Sequence, residues 1–497
     1  MHNPLNQIDF YKADHRRQYP EGTTLVYSNL TARKSRVPEV DAIVFFGLQY
    51  FIQEYLVRQW NEGFFRRNKE EVCAAYLRRM DAGLGAGAIT VEHIAALHEL
   101  GHLPLTIRAV PEGTLVPIGV PCLVLWNTIP EFFWLTNYLE TVLSAVLWGP
   151  CTSATTAHRY RKLLDKWCKA TGGETNFIPF QGHDFSMRGM MGVEAACLSA
   201  AGHLLSFVGT DCVPALDFLE EYYGADATQE ILGESVPATE HSVMCMGTAE
   251  GEFETFARLI TETYPSGVVS IVSDTWDLWV VLCDYLYRLK DVILAREGKV
   301  VIRPDSGDPA DILCGNTLYH SNGPSAADQG VIELLWNIFG GTINEKGFKQ
   351  LDPHIGAIYG DSITPERAED ICKRLADKGF ASTNVVFGIG SYTYQYVTRD
   401  TYGFAMKATY GEVNGEGREI FKKPVTDNGT KTSARGLLAV KRNEAGVLQL
   451  HQGVSWAEVW KDDMVTYLLD GQAWQRDMLS EVRARLSEQR NTAAGTR

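Results

Sequence analysis

Several common signatures are missing from this chain of 497 residues. Its ten cysteines are scattered through apolar stretches, and no two have the C-x-x-C spacing that zinc ribbons and redox pairs use. The first twenty residues lack the apolar core of a signal peptide, and no later apolar run is long enough to cross a bilayer. We therefore expect a protein of the reducing cytoplasm that has no membrane partner.

The charge balance excludes further classes of partner. The formal net charge is -15 and the isoelectric point is about 5.3, so no long-range positive field would attract a phosphate backbone, and we expect no nucleic-acid partner. The G-x-x-x-x-G-K-[ST] loop of P-loop ATP sites is also absent. A small anionic substrate is compatible with this charge only if basic residues are concentrated in one cleft.

What the chain does have is length and a regular pattern in its centre. Its 497 residues exceed the size at which one hydrophobic core stops growing, so we expect at least two domains. From about residue 175 to 400, short apolar runs such as Val268–Val272 alternate with helical patterns. One of these helices should begin at Thr364-Pro365 and end at Gly379. The alternation predicts an α/β fold with a parallel sheet, either an open doubly wound sheet or a closed barrel.

The two ends of the chain have a different pattern. Short runs such as Thr106–Val110 and Gly436–Val440, separated by glycine and proline turns, predict antiparallel strands. We therefore predict a β-rich domain built from residues 1–150 and 400–485 around a central (β/α) barrel domain at residues 151–399. Residues 486–497 are predicted to be a disordered tail.

Charged residues follow the predicted strands of the central domain. Asp274, Arg303 with Asp305, Asp361 and the turn at Gly388–Ser391 each stand where an apolar run ends. In parallel α/β folds, ligands bind at the carboxyl ends of the strands. Helix N-capping would account for part of the aspartates. It would not account for Arg303, because a cation at a helix N-terminus opposes the helix dipole.

One short match suggests a different chemistry. His98-Glu99-Leu100-Gly101-His102 fits H-E-x-x-H, which in metalloproteases holds two imidazoles one helical turn apart. Gly101 and the nearby Pro104 predict the end of a helix, so that the second histidine points away from the first. We interpret the match as a chance occurrence and expect no zinc site there.

Four other segments carry side chains suited to ligand binding. Each has an ordinary structural explanation by itself, such as a core phenylalanine, a structural ion pair or a hydrogen-bonded loop histidine. Because they lie at successive strand ends, we expect them to converge on one cleft. The segments are Gly182-His183-Asp184-Phe185-Ser186-Met187-Arg188-Gly189, Gly209-Thr210-Asp211, Ser235-Val236-Pro237-Ala238-Thr239-Glu240-His241-Ser242 and Ile302-Arg303-Pro304-Asp305-Ser306-Gly307.

With these segments, the chain resembles a known family over nearly its whole length, from Asp9 to about Lys431. HDFSMRG, GTD, SVPATEHS, SIVSDTWD, IRPDSGDP, YGDS and VTRD, preceded by VFFGLQY, GHLPLTIRAVPEG and WLTNYLET, are similar to segments of the nicotinamide phosphoribosyltransferases, in the barrel-type nicotinate/nicotinamide phosphoribosyltransferase family. The resemblance implies an irregular (β/α) barrel of the type II phosphoribosyltransferases with a second, β-rich domain. It also implies an enzyme of NAD salvage that joins nicotinamide to the ribose of phosphoribosyl pyrophosphate, giving nicotinamide mononucleotide and pyrophosphate.

The resemblance implies a site for the pyridine ring. Phe185 and Tyr11 of the partner subunit would stack on the two faces of the ring, and Arg303 would belong to the same site. Asp211 would accept from the carboxamide nitrogen, and this carboxylate disfavours nicotinate by charge repulsion. A site completed by a second subunit implies a homodimer.

The resemblance also implies a site for phosphoribosyl pyrophosphate. The cations that would bind its phosphates are Arg188, Arg303, Arg399 and Lys407. Gly360 and Asp361 would hold the ribose hydroxyls, and the backbone amides at Gly390 and Ser391 would hold the 5'-phosphate.

Two cofactors follow from the same resemblance. Asp305 with Asp274 would organise Mg²⁺ on the pyrophosphate, through water where magnesium keeps its hydration shell. His241 would be phosphorylated by ATP in a side reaction that couples ATP hydrolysis to substrate binding, and Glu240 would help to position the imidazole.

The sequence departs from the family pattern in two places, and it leaves two rival functions. The phosphate loop is Gly388-Ile389-Gly390-Ser391-Tyr392, and Ala405 stands where a serine is expected, so side-chain contacts to phosphate are altered. The nearer rival is a nicotinate phosphoribosyltransferase on the same barrel, which Asp211 disfavours. The other rival is a non-catalytic binding or signalling protein, which is disfavoured by the joint presence of Arg303, Asp305, Asp361 and His241.

Overall fold

The computed structural model describes residues 3–316, 324–360, 362–422 and 434–495. For residues 493–495 only the backbone is described. The chain divides into two compact units. The β-rich unit comprises Met1–Thr155, Phe218–Ala225 and Val397–Arg497, and the barrel unit comprises Thr156–Asp217 and Asp226–Tyr396. Within the described ranges, no helix combines the length and the apolar character needed to cross a membrane.

The strands are numbered in chain order. They are β1 Thr23–Ala32, β2 Ala42–Val44, β3 Leu105–Ala109, β4 Leu115–Pro117, β5 Pro121–Asn127, β6 Gly182–Asp184, β7 Gly209–Thr210, β8 Gly267–Val272, β9 Gly298–Arg303, β10 Gly341–Ile343, β11 Lys349–Leu351, β12 Ile355–Tyr359, β13 Val385–Ile389, β14 Phe404–Val413, β15 Glu416–Glu419, β16 Leu438–Arg442, β17 Leu448–Gln452, β18 Val465–Leu469 and β19 Gln472–Ala473.

The α-helices are numbered in the same way. They are α1 His15–Gln18, α2 Leu48–Tyr50, α3 Lys69–Leu84, α4 Glu92–Leu100, α5 Leu135–Tyr138, α6 Glu140–Thr171, α7 Ile178–Gln181, α8 Val193–His203, α9 Val213–Tyr223, α10 His241–Met246, α11 Glu252–Arg258, α12 Leu278–Val280, α13 Leu286–Ala295, α14 Pro309–Cys314, α15 Ala326–Phe339, α16 Pro365–Asp377, α17 Ser391–Tyr394, α18 Trp456–Val459 and α19 Leu479–Gly495. Helical segments with π geometry continue α2, α11 and α12 at Phe51–Arg58, Leu259–Thr263 and Val281–Tyr285, and another lies at Asn61–Phe65.

The barrel unit is organised around a parallel sheet of six strands in the order β7-β6-β13-β12-β9-β8. The segment 234–239 links its two edge strands. Glu234 forms a parallel bridge with Gly209 of β7, and Ala238 forms one with Ser270 of β8. This linked sheet agrees with the barrel that the sequence predicts, and it turns the carboxyl ends of the strands toward one side.

The local signals in this unit act as the sequence predicts. Thr364 caps α16 by accepting from the Arg367 amide, Pro365 occupies the first helical position, and Gly379 follows the helix with φ +77°. Parallel strands between two layers of helix are buried on both faces and therefore apolar. Val269 and Ile271 of β8 accordingly are fully buried in the core of the unit.

The β-rich unit contains a seven-stranded sheet in the order β15-β14-β1-β5-β3-β18-β19. Its central contact pairs β1 from the N-terminal part with β14 from the C-terminal part, antiparallel, with Leu30 opposite Met406. The sheet is therefore built from both ends of the chain. Phe218–Ala225, which we had assigned to the barrel domain, belongs to this unit, because Tyr223 donates to the buried Glu112 and the carbonyl of Tyr222 accepts from Gln49.

The prediction of a disordered tail at residues 486–497 is not supported by the structure. Helix α19 continues from Leu479 to Gly495, and Leu486 is fully buried. The Gln489 side chain accepts from the amide of Leu115 at 3.0 Å. Burial of an apolar side chain and a hydrogen bond to strand β4 of the same chain offset the entropy lost on ordering these residues.

The H-E-x-x-H match does not lie on one helix face. Helix α4 ends at Leu100, and Gly101 has a φ of +79°. His98 Nε2 lies 2.8 Å from the carbonyl oxygen of Arg67, and His102 Nδ1 lies 3.2 Å from that of Leu100. The glycine stop that we predicted at this position is confirmed.

Candidate active site

The candidate residues of the barrel unit follow the carboxyl ends of its strands. Phe185 comes directly after β6, Asp211 directly after β7, and Asp274 two residues after β8. Arg303 is the last residue of β9. Gly360 follows β12, and Gly390 follows β13. The candidates therefore line one side of the sheet, which is where ligands bind in such folds.

The half-buried ring of Phe185 is held in a narrow space between backbone and side chains. Its amide donates to the carbonyl of Ile389 at 2.9 Å. A Cβ atom added to Gly388 would lie 2.4 Å from Cδ2 of the ring, and one added to Gly360 would lie 2.9 Å from Cε2. The guanidinium carbon of Arg303 lies 5.8 Å from the ring centroid. The two glycines therefore create the space for this ring, beside a cation that favours an aromatic face.

Asp211 is a carboxylate that is oriented by its neighbours. Its Oδ1 accepts from His183 Nε2 at 2.9 Å and from Ser235 Oγ at 2.7 Å. Burial acts to raise the pKa of Asp211, but the hydrogen bonds from His183 and Ser235, with the charge of Arg303, outweigh burial and lower it below its usual value. Asp211 is therefore an ionised acceptor, and Oδ2 is the oxygen without a hydrogen-bond partner among the described residues.

Arg303, Asp305 and Asp274 form a second charged group. Arg303 Nη2 lies 3.9 Å from Asp305 Oδ2, and Nη1 lies 3.4 Å from the carbonyl oxygen of Thr239. Asp274 Oδ2 accepts from the Asp305 amide at 2.9 Å and from Ser306 Oγ at 2.5 Å. Asp274 is nearly buried and holds the Asp305 loop, whereas the Asp305 carboxylate is partly exposed. Asp305 is thus the more accessible carboxylate of the two.

His241 contacts Asp274 and not Glu240. His241 Nε2 lies 3.4 Å from Asp274 Oδ1, and this oxygen is buried and otherwise unpaired. Glu240 instead accepts a short hydrogen bond from Ser242 Oγ, at the residue that precedes α10. The role predicted for Glu240 in positioning the imidazole stays a prediction, and in this structure the side chain of Glu240 is engaged by Ser242.

Two further predictions concern the phosphate-binding edge. The predicted turn at Gly388–Ser391 is shorter than expected, because Gly388 and Ile389 still belong to β13 and α17 begins at Ser391. Ser391 lies against Gly189, where a Cβ atom would be 2.0 Å from its Oγ. Arg188 is exposed on the same segment as Gly189. Asp361 lies outside the described residues.

The remaining candidates lie in the β-rich unit. Tyr11 is 57% exposed, and its ring centroid is 5.0 Å from that of His15. Arg399 is exposed, and its Nη2 lies 3.8 Å from Oδ1 of Asp400. Lys407 lies on β14 and is half-buried. Burial lowers the pKa of Lys407, and the charge of Glu140 acts in the opposite direction.

Three residues without a predicted role contact the carboxylates of Asp211 and Asp274 in the structure. His183 and Ser235 both donate to Asp211, and Ser306 donates to Asp274. His183 had a signal in the sequence, since it lies two residues before the candidate Phe185, near the carboxyl end of a predicted strand. The two serines had none, because only the folded loops bring them to carboxylates that are distant in sequence.

Together these groups define a chemical environment. A ring platform at Phe185, an oriented anionic acceptor at Asp211 and a cation at Arg303 suit a flat aromatic ligand with a hydrogen-bond donor. The neighbouring carboxylates and the imidazole of His241 are nucleophilic or metal-binding groups. An arrangement with both parts suits an enzyme that joins an aromatic base to a charged partner.

Known proteins share this architecture. The crystal structure of nicotinate-nucleotide pyrophosphorylase from Pyrococcus furiosus matches the chain with a TM-score of 0.57 at 13% identity, covering 99% of this chain and 96% of that one. That likeness shows the fold alone. The fold is that of the type II phosphoribosyltransferases, as the sequence predicts.

Sequence comparison narrows the class. A model of the nicotinate phosphoribosyltransferase (NAPRTase) family matches residues 180–456, and a model of the N-terminal domain of nicotinamide phosphoribosyltransferase matches residues 3–74. The chain is 55% identical to a nicotinamide phosphoribosyltransferase of Acinetobacter baylyi, over 98% of this chain and 97% of that protein. It is 36% identical to one of Mycoplasma pneumoniae, over 87% and 94%. The chain therefore belongs to the nicotinamide phosphoribosyltransferases within this family, and it is a pentosyltransferase.

Proposed function

We propose that the protein transfers the 5-phosphoribosyl group of phosphoribosyl pyrophosphate to nicotinamide, giving nicotinamide mononucleotide and pyrophosphate for NAD salvage. The observation that carries this proposal is the ionised carboxylate of Asp211 beside the Phe185 and Arg303 pair. The names of the relatives that match nearly the whole chain agree with it.

The proposed base is recognised by its ring and its amide. Phe185 provides one apolar face for the pyridine, and Oδ2 of Asp211 accepts from the carboxamide NH₂. A carboxylate in the same position would face the negative charge of Asp211 and would lose the hydrogen bond. This argument favours nicotinamide over nicotinate.

The proposed reaction is a substitution at the anomeric carbon. The pyridine nitrogen forms a bond to this carbon while the bond to the pyrophosphate oxygen breaks, so positive charge develops on the ribose and negative charge on the leaving group. Cations such as Arg303 and Arg188 stabilise the leaving pyrophosphate. Arg399 and Lys407 are also proposed as phosphate-binding cations.

Mg²⁺ is proposed as the cofactor that neutralises the pyrophosphate. Among the described residues no group of three or more His, Cys, Asp or Glu could hold a metal ion. Magnesium does not need such a group, because it commonly keeps several waters and binds one or two carboxylates together with substrate phosphates. Asp305 fits this pattern, since its carboxylate is partly exposed and its one ion pair among the described residues, with Arg303, is long at 3.9 Å. Asp274 holds Asp305 in place by accepting a hydrogen bond from its backbone amide.

ATP is proposed as a coupling substrate that phosphorylates His241. The phosphoryl group would pass from ATP to an imidazole nitrogen, with ADP as the leaving group. The buried Oδ1 of Asp274 faces Nε2 and would orient the ring in place of Glu240. This oxygen stabilises the cationic imidazole that forms as the ring attacks.

A homodimer with composite sites and a cytoplasmic location complete the proposal. Tyr11 is an exposed aromatic side chain on the N-terminal segment, and it is proposed to cover the second face of the pyridine in the site of the partner subunit. The ten cysteines are free thiols, and most are buried. Free cysteines in this number suit a reducing compartment.

A direct assay tests the function. Purified protein is incubated with phosphoribosyl pyrophosphate, Mg²⁺ and either nicotinamide or nicotinate, and the product is identified by mass. We expect nicotinamide to be used about a hundredfold better or more, because repulsion and a lost hydrogen bond together cost several kcal/mol in a desolvated site. Equal turnover of both bases would refute the role of Asp211. Absence of turnover with either base would favour the non-catalytic alternative.

A further inference from the structure

The imidazole of His183 occupies a fixed position behind Asp211. It is largely buried and lies between the Phe185 ring, at a centroid distance of 4.8 Å, and the backbone of Gly209. A Cβ atom at Gly209 would lie 2.8 Å from Nδ1, so that only glycine leaves room for the ring. The imidazole therefore has no freedom to turn away from the carboxylate that it contacts.

The proton on this imidazole is assigned by its partner. Nε2 lies 2.9 Å from Oδ1 of Asp211, which is ionised and can only accept. Nε2 must therefore carry hydrogen and donate, whether or not Nδ1 is also protonated. Ser235 donates to the same oxygen, so both hydrogen bonds fall on Oδ1, and Oδ2 has no hydrogen-bond partner among the described residues.

We propose that His183 is a specificity-determining positioning residue, which fixes the Asp211 carboxylate through Oδ1 and leaves Oδ2 free for the ligand, so that an uncharged pyridine amide is preferred over a pyridine carboxylate. This inference rests on the proposed function. His183 does not touch the ligand in this scheme. It acts through Asp211, together with Ser235.

The physical reason lies in the balance of forces on Asp211. The charged or titratable groups that face it are His183 from β6 and Arg303 from β9, and burial opposes both. If the imidazole is removed, burial gains weight and the pKa of Asp211 rises. A protonated Asp211 could donate to a carboxylate, so nicotinate would become an acceptable base as the pH falls. The preference for the amide would then weaken.

The experiment uses the full chain with phosphoribosyl pyrophosphate, Mg²⁺ and each base, with kcat and KM measured from pH 6 to 8. His183→Leu removes the donor and keeps an apolar side chain, and His183→Gln keeps an NH donor on a side chain of similar reach. We expect His183→Leu to raise KM for nicotinamide about tenfold or more with little change in kcat, as for the loss of a hydrogen bond to a charged group. The preference over nicotinate should fall about tenfold or more, and His183→Gln should restore it.

Two further variants make the outcomes distinct. His354→Leu is the matched control, since it removes another imidazole that lies 2.7 Å from an aspartate, Asp352, in the same unit. Its base preference should equal that of the wild type. Asp211→Asn tests the proposed function itself and should relax the preference at every pH.

If Asp211→Asn keeps the wild-type preference, the proposed pyridine site fails. If Asp211→Asn relaxes the preference but His183→Leu does not, the role of His183 alone is overturned. Thermal melting of each variant identifies any that is unfolded. If His183→Leu does not fold, His183→Gln decides, because a folded Gln variant without base preference shows that the donor is not the determinant.

Discussion

The narrow space around Phe185 gives a test that changes no side chain of the site. In Gly388→Ala the new Cβ would lie 2.4 Å from Cδ2 of Phe185 and 2.6 Å from Cα of Gly360. Ordinary carbon contacts begin near 3.5 Å, so the ring must move by roughly 1 Å or more. Gly388 has no positive φ, so alanine can adopt its backbone conformation, but the close backbone at Gly360 must also shift.

Overpacking of this kind costs about 1–3 kcal/mol. If the bound pyridine needs the original ring position, this cost appears as a rise in KM for the base of about fivefold to about 150-fold. The value of kcat should change less, because the ring contacts the base equally in the ground state and the transition state. Steady-state kinetics with varied nicotinamide at saturating phosphoribosyl pyrophosphate measures both constants.

Gly149→Ala is the matched control for this prediction. It introduces the same methyl group at a glycine whose Cβ would meet no atom within 4 Å, and no positive φ is required there. Its kinetics should equal those of the wild type, and its melting temperature should not fall. A folded Gly388→Ala protein with an unchanged KM for nicotinamide would show that the Phe185 ring is not the platform for the base.

Three other predictions concern coupling, assembly and pH. His241→Ala should abolish ATP hydrolysis and leave slow transferase activity; ATP turnover that persists in an ADP-release assay would exclude His241 as the phosphorylated residue. Tyr11→Ala and Asp211→Ala proteins, each nearly inactive, should regain up to about a quarter of the sites when mixed, because a mixed dimer has one site with both lesions and one with neither; subunit exchange without recovered activity would contradict shared sites. Burial, assisted by the charge of Arg16, lowers the pKa of His93 from 6.5 to about 4. Between these two pH values the unfolded chain binds more protons than the folded chain. The free energy of unfolding should therefore decrease as the pH falls from 6.5 to 4, by about 3 kcal/mol in total. Urea midpoints of the wild type and His93→Gln at pH 7 and pH 4.5 measure this loss, which should be smaller in the variant.

Strands and caps of the barrel unit could be predicted because their signals are local. The apolar run at Val268–Val272 falls within β8, and Thr364 with Pro365 starts α16 as expected. The charged residues at the strand ends follow from topology, since parallel strands bring their carboxyl ends to one side. The sequence pattern therefore identified the edge at which Phe185, Asp211 and Arg303 lie.

The contacts within the site could not be predicted in the same way. Adjacency in sequence suggested Glu240 as the partner of His241, whereas the fold supplies Asp274 from a different strand. The hydrogen bond from Ser235 to Asp211 depends on the path of a loop, and no spacing rule describes such a path. The tail was misjudged because its composition gave no sign of the buried position that Leu486 finds.

The linking segment 234–239 connects two parts of the candidate site, the surroundings of Asp211 and the surroundings of Asp274. Its first part leads to Ser235, which holds Asp211, and its last part leads to His241, which faces Asp274. In between, the amide of Thr239 donates to Ser270, and the amide of Ser270 donates to Pro237. A single extended stretch of wall thus joins the group that selects the base to the group proposed to receive a phosphoryl group. A substitution that displaces this stretch is therefore expected to alter both base preference and the proposed phosphorylation of His241.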